Sequence, residues 1–185
     1  MANYQIEAAQ SWQGFSYQNK RYCLDHLASH EIKVKANVKE YRFVITYGLH
    51  CFTKCESEFA INYRYYDSRE SRLVCDERYE ASKALKGIME GVSEYSYYQT
   101  QGIKYFTMQR LNSLSGAEEP YKICLAFFKE NRLMRIHVTS AFFVRSGEGA
   151  DGKISRKAVS FYKVAMDTDL NGKGKIPKEA TKYKK

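Results

Sequence analysis

The stretch Arg132–Arg145, reading RLMRIHVTSAFFVR, is the longest β-branched and aromatic run in the chain, and it alternates. A strand sends successive side chains to opposite faces of its sheet. Met134, Ile136, Val138, Phe142 and Val144 form one set and predict a core face. Arg135, His137, Thr139, Phe143 and Arg145 form the other. At roughly 3.3 Å per residue, the second set gathers guanidiniums, an imidazole and a hydroxyl within about 30 Å of strand. Such a strand needs a sheet around it and a second layer over its apolar side. Its polar side is either the solvated face of an antiparallel sheet or a surface able to hold phosphate and move a proton.

The rest of the chain supplies that sheet and layer. Phe15–Cys23 reads as a tight hairpin turned by Gln18-Asn19-Lys20. Glu31–Val38 alternates cleanly, with Ile32, Val34, Ala36 and Val38 against Lys33, Lys35, Asn37 and Lys39. Lys39-Glu40 is expected to turn the chain into Tyr41–Tyr47, and Gly48 to break that run. Phe59–Tyr66 predicts a further strand, and Asp67–Arg72 a polar loop.

Asp76 is expected to cap a helix that runs over about residues 77–92. Its apolar stripe is Ala81, Leu85, Ile88, Met89 and Val92. Arg78 falls on the same stripe, seven residues before Leu85, and therefore points toward the sheet. Ser93–Gly102 is a tyrosine-rich loop. Strands are predicted over Ile103–Leu111, Tyr121–Lys129, Arg132–Arg145 and Ala158–Met166.

This order predicts an α+β fold: a mostly antiparallel β-sheet, one main helix packed across it, and an extra N-terminal β-hairpin region. Residues 1–170 are expected to form a single domain and residues 171–185 a basic, loosely ordered tail.

Charge and cysteine usage bound the function. The formal net charge is +9 over 185 residues. It is concentrated in the tail, where Lys173, Lys175, Lys178, Lys182, Lys184 and Lys185 stand against Glu179. That balance suits RNA or another polyanion as partner. The five cysteines, an opening stretch MANYQIEAAQ without an apolar core, and the lack of any long apolar run predict a cytoplasmic protein with reduced thiols and no membrane contact.

Residue types and spacings bear on several chemistries. Cys23, His26 and His30 are zinc-ligand types, but C-x₂-H-x₃-H is not a recognised structural-zinc spacing, so no metal is expected. His50 and Cys51 are adjacent, which on a strand sends them to opposite faces rather than into a nucleophilic dyad. Neither a P-loop nor a G-x-G-x-x-G is present, and no cofactor is expected. Metal-free RNA cleavage needs a proton carrier near neutral pH and cations around the phosphate. His50, His137, Arg78 and Thr139 are the catalytic candidates. Arg135, Arg145, Lys33 and Lys35 are the nucleic-acid-binding candidates. Tyr95, Tyr97 and Tyr98 are placed to stack on unpaired bases.

Gly48-Leu49-His50-Cys51-Phe52-Thr53, Glu77-Arg78-Tyr79-Glu80-Ala81-Ser82-Lys83 and His137-Val138-Thr139-Ser140-Ala141-Phe142 resemble a family of uncharacterised bacterial and phage-borne proteins, over roughly residues 15–165. That resemblance implies no established activity. In architecture, the last two-thirds of the chain is similar to the barnase–colicin-like toxin ribonucleases. There, a helix precedes a curved antiparallel sheet, and a Thr/Ser-Ala-aromatic segment ends a late strand. Arg78 and Thr139-Ser140-Ala141-Phe142 stand at the matching positions. The long N-terminal hairpin region departs from the smallest such nucleases.

The expected function is therefore an RNA-acting protein of metal-independent, toxin-ribonuclease type. The alternative is a non-enzymatic interaction protein. That class includes a phage- or mobile-element-encoded inhibitor of a bacterial defence complex (anti-CRISPR-like), with a bacterial host complex as partner, and a nucleic-acid-binding protein.

Overall fold

The computed structural model describes residues 4–6, 11–36, 39–54, 56–67, 69–130, 132–145, 157–177 and 180–183. The chain starts with β1 (Tyr4–Ile6) and the hairpin β2 (Phe15–Tyr17)–β3 (Lys20–Tyr22). Tyr17 pairs with Lys20, so the loop is Gln18-Asn19 alone. Both residues have positive φ, 44° and 63°, as a two-residue turn matched to strand twist requires.

A 3-10 turn, Asp25–Leu27, leads into β4 (His30–Ala36) and β5 (Lys39–His50). Ala36 pairs with Lys39 and Lys35 with Glu40, so Lys39 and Glu40 open β5 instead of forming the expected turn. β5 also runs through Gly48 rather than ending there.

Then come β6 (Thr53–Lys54), β7 (Ala60–Tyr66) and β8 (Ser71–Cys75). The predicted helix is broken into α1 (Asp76–Ser82) and α2 (Leu85–Glu90), followed by a 3-10 turn, Val92–Glu94. Ser82 Oγ donates back to the Tyr79 carbonyl at 2.7 Å. A serine bonded into the preceding turn tends to bend a helix. The Lys83 and Ala84 amides tighten to bonds three residues back at the same point. Cys75, not Asp76, is the N-cap, and it makes no side-chain cap bond. The Asp76 carboxylate instead accepts from Tyr22 Oη at 2.7 Å and Lys20 Nζ at 3.2 Å, which fastens the first hairpin to α1.

The remaining strands are β9 (Ser96–Gln101), β10 (Lys104–Asn112), β11 (Glu118–Glu130), β12 (Leu133–Phe143) and β13 (Val159–Ser160). The tyrosine-rich segment expected to be a loop is thus largely strand. The predicted last strand is a correction in the other direction. Only Val159–Ser160 is extended, and Phe161–Asn171 is the helix α3. Phe161, Val164, Ala165 and Thr168 are buried at helical spacing, and Ser160 Oγ accepts from the Lys163 amide. A short run of mixed residues fits either period, and the core contacts of the buried side decide here, with Ser160 as the N-cap. Finally β14 (Thr181–Tyr183), inside the expected loose tail, pairs with β1.

Among the described residues the main sheet has the strand order β13-β9-β10-β11-β12-β5-β4, with a smaller sheet β6-β8-β7. All its pairings are antiparallel except β12 with β5. The fold is α+β, as expected. α3 covers one face of the sheet, where Phe161 meets Phe43, Tyr97 and Phe127 at ring distances of 5.4–6.2 Å. Tyr79, Leu85, Met89 and Val92 join that core from α1, α2 and the turn after them.

A bulge decides the far end of the sheet. Against β11 the register slips between Leu125–Val138 and Cys124–Ser140, leaving Thr139 as an extra residue. Against β12, β5 gains a residue at the same level. One added residue reverses every later side chain. Ile136 and Val138 face the core before it, and Ala141 and Phe143 after it. Phe143 is therefore core, with its ring 5.1 Å from Tyr121, and Phe142 is on the other side, the reverse of the expected assignment. Gly48 makes room, because a Cβ there would lie 2.9 Å from the Thr139 carbonyl and 3.2 Å from His137 Nε2.

Candidate functional site

The small sheet docks where β5 and β12 end, and polar groups gather along that seam. β5 delivers His50 at its last position, paired with Ser140. The turn before β8 delivers Glu70, and β8 delivers Arg72. α1 starts directly after β8 and delivers Arg78. His50 Nε2 and Glu70 Oε1 are 2.7 Å apart, and about two-fifths of each side chain is open to solvent (38% and 40%). Arg72 Nη1 reaches the other Glu70 oxygen at 3.2 Å. Partial burial pushes the Glu70 carboxyl up, but the hydrogen bonds and charges of His50 and Arg72 outweigh it and hold it below the usual carboxylate range. An ionised Glu70 accepts a hydrogen bond from Nε2–H, which turns the other ring nitrogen, Nδ1, away from the carboxylate.

Arg78 lies just behind. Its Nη1 donates to the carbonyls of His50 (2.9 Å) and Thr53 (3.0 Å), and the guanidinium lies 5.2 Å from the Phe142 ring centre. Burial lowers its pKa, and the Arg72 charge acts in the same direction, so the two cations sense each other. An arginine keeps its charge under such a shift. Arg72 Nε is buried with no hydrogen-bond partner among the described residues. The seam thus combines a carboxylate-oriented histidine, a buried N–H donor and two guanidiniums.

Sequence reasoning does not reach Glu70 and Arg72, because they fall within Asp67–Arg72, which predicts a polar loop. Their spacing to His50, two short strands away, carries no local signal. The i, i+2 spacing of Glu70 and Arg72, at the entry to β8, is the available hint.

The other predicted residues are not brought together there. Arg135 is 1% exposed, and its Nη1 pairs with Glu130 Oε2 at 3.3 Å. His137 is also 1% exposed, and its Nδ1 is 2.8 Å from Thr46 Oγ1. The face that carries them is thus buried, not a solvated surface. Thr139 Oγ1 donates to the Cys124 carbonyl at 3.2 Å, inside the bulge. Arg145 is held by two carboxylates: Glu77 Oε1 is 2.6 Å from Nη2, and Glu119 Oε2 is 2.7 Å from Nε. Lys33 and Lys35 lie exposed on β4, at the edge of the main sheet. Of the stacking candidates, Tyr97 is buried with its hydroxyl on the Val92 carbonyl, and Tyr98 stacks on Phe106. Tyr95 is half-buried.

The residues of zinc-ligand type and the thiols have other neighbours. Cys23 Sγ meets Asp25, His26 Nε2 meets Ser82 Oγ at 2.8 Å, and His30 stacks on Tyr47. Among the described residues no group of three or more His, Cys, Asp or Glu side chains is placed to hold a metal ion. Cys51 is fully buried, and burial pushes its thiol up to about 12, which leaves no thiolate near neutral pH. No helix among the described residues is long and apolar enough to cross a membrane.

Fold and seam together define an α+β protein with a mixed seven-stranded sheet and a His–Glu–Arg cluster at the end of its one parallel pair. The chain belongs to the YjaZ family, whose model matches residues 14–168. It is similar to Protein YjaZ of Escherichia coli (strain K12), with 30% identity over 133 residues, covering 69% of this chain and 70% of that protein. The match spans nearly the same residues as the family resemblance read from the three local segments. No solved structure matches the chain, so the likeness to toxin ribonucleases stands on no structural relative.

Proposed function

We propose that the protein acts on RNA at the His50–Glu70–Arg72–Arg78 seam, as a metal-independent ribonuclease. The observation that carries this reading is the 2.7 Å contact between His50 and Glu70, beside an Arg72 Nε–H that has no acceptor among the described residues. A phosphate at the seam meets the Arg72 and Arg78 charges, which stabilise the developing dianion. His50 Nδ1 takes the proton from a ribose 2′-hydroxyl as its oxygen attacks phosphorus. The 5′-oxygen leaves and takes that proton back from His50, so a 2′,3′-cyclic phosphate and a free 5′-hydroxyl are formed. Glu70 stays ionised and orients the ring, as a carboxylate does for a catalytic imidazole.

The test is incubation of single-stranded RNA with the pure protein in EDTA. Cleavage to cyclic-phosphate ends is expected, falling on the order of 100-fold or more in His50→Ala. Intact RNA, or equal cleavage by His50→Ala, overturns the reading.

A second reading is a non-enzymatic binding protein, favoured by one observation. Arg135, His137 and Arg145 are all engaged within the fold, while Lys33 and Lys35 stay outward. On this reading the surface cations hold a polyanion or an acidic host complex without chemistry. A stoichiometric protein partner in a pull-down, with uncleaved RNA, selects it.

A further inference from the structure

Between the end of α3 and the β9–β10 hairpin the fold leaves a cavity of about 280 Å³. Its floor is aromatic: Phe127 is 1% and Tyr105 9% exposed, with ring centres 5.5 Å apart. It lies on the α3 face of the sheet, at the level of the Tyr105–Leu125 pair, whereas the seam lies at the Ser140–His50 pair. The two sites are separate.

The polar groups around this floor have hydrogen-bonding capacity to spare. Tyr105 is nine-tenths buried, yet its hydroxyl has no hydrogen-bond partner among the described residues. Burial raises its pKa and the charge of Asp167 adds to the rise, so the hydroxyl keeps its proton and can donate it. Gln99 pairs with Tyr105 across β9 and β10 and shares its face. Its Nε2 donates to the Gly102 carbonyl at 2.6 Å, which leaves Oε1 open as an acceptor. From the other wall α3 presents Asp167, whose Oδ1 accepts from Lys163 at 2.8 Å and whose Oδ2 stays open. The C-terminal end of α3 is also the negative end of its dipole. Asn171 and Lys175 add donors at the rim.

A flat ring suits the aromatic floor. An amino group on that ring suits the wall, because its two N–H bonds match two acceptors, Asp167 Oδ2 and Gln99 Oε1. Acceptor atoms beside the amine would take the Tyr105 hydroxyl proton and the rim donors. Nucleobases with an exocyclic amine carry that row of groups on one edge, and aromatic rings, amides and carboxylates are the side chains that read such edges. We infer that this cavity binds an amino-bearing nucleobase, of which cytosine is the smallest, and rejects uracil. In uracil a carbonyl oxygen replaces the amine and would face both acceptors. Binding here is independent of cleavage at the seam, since a free nucleoside has no phosphodiester to cut.

The test is an NMR titration of the full chain with cytidine and with uridine, each to about 10 mM, above the dissociation constant that suits a ligand this small. Cytidine is expected to bind with a dissociation constant on the order of 0.1–1 mM, and uridine at least about tenfold more weakly. Tyr105→Phe keeps the ring, removes the hydroxyl and should weaken cytidine about three- to tenfold. Asp167→Asn should erase the preference for cytidine. Lys163→Gln breaks the same ion pair but keeps the carboxylate, and should preserve the preference. In a His50→Ala background, oligocytidylate that competes with cytidine marks a base within RNA as the occupant, and oligocytidylate that does not marks a free nucleoside; either supports the site. No saturable binding of cytidine overturns the inference. So do equal affinities for the two nucleosides, a preference that survives Asp167→Asn, or cytidine binding unchanged in Tyr105→Phe.

Discussion

Strands β4 and β12 carry the same pattern and meet opposite fates. In β4, Ile32 and Val34 alternate with Lys33 and Lys35. In β12, Ile136 and Val138 alternate with Arg135 and His137. The apolar members of both pairs are buried, at 7% exposure in β4 and 0% in β12. The basic members part company: the lysines are exposed, whereas Arg135 and His137 are 1% exposed. β4 is the edge of the main sheet, and β12 lies between β11 and β5. A central strand can be covered on both faces, while an edge strand with lysines stays open and is protected from pairing with other chains. Alternation therefore tells which side chains share a face, not whether that face is wet.

Arg135→Ala should break this contrast most visibly. It removes one partner of a buried ion pair and leaves a hole beside Glu130, so the loss should be about 3 kcal/mol in urea unfolding. A change below about 1 kcal/mol would mean that the Arg135 face is open after all.

Gly48→Ala comes next. The added methyl meets backbone of the Thr139 bulge, which cannot swing away, so about 2 kcal/mol should be lost. The same change at Gly87, where a Cβ meets nothing within 4 Å, should stabilise α2 by about 0.5–1 kcal/mol. Equal effects at the two glycines would contradict the bulge as the cause.

Arg145→Ala should cost about 1–2 kcal/mol, discounted because the guanidinium is 35% exposed. It strands Glu77, which is 8% exposed, and unfastens α1 from Glu119. Glu77→Gln in the same background should recover part of that loss, and a simple sum of the two changes would rule out their coupling.

His26 gives a smaller, pH-dependent effect. Burial, with the Lys83 charge helping, lowers its pKa in the folded chain. The unfolded chain then binds the extra proton first. The stability His26 contributes is complete above about pH 6.5 and falls as pH drops from there toward the lowered folded value. Glu70, Glu80 and Asp169 are also lowered, so their contributions are lost only below the ordinary carboxylate range. Melting temperature measured from pH 7.5 to 5 should fall, and fall less in His26→Gln. Identical slopes in the two proteins would remove His26 as the source.

The smallest effect belongs to the edge strand. Lys33→Ala and Lys35→Ala should change stability by less than about 0.5 kcal/mol, yet each should flatten the salt dependence of RNA binding if those lysines meet phosphates. Unaltered salt slopes would leave β4 as an edge guarded by charge alone.

Some of this was legible in residue order. The hairpin at Gln18-Asn19, the apolar stripe Ala81–Leu85–Met89–Val92 and the core faces of β4, β5 and the first half of β12 follow from local periodicity and turn chemistry. So does the inward aim of Arg78. Three things followed only from tertiary structure. Thr139 becomes a bulge because β11 and β5 pair with β12 in offset registers, and that exchange put Phe143 in the core and Phe142 beside Arg78. Phe161–Asn171 is a helix because its buried side meets Phe43, Tyr97 and Phe127, where a two-residue repeat would have served as well without them. His50, Glu70 and Arg72 form a cluster because a small sheet folds back onto the end of the large one. Side-chain period is a property of a few bonds and is written locally, whereas burial and proximity belong to neighbours that lie tens of residues away.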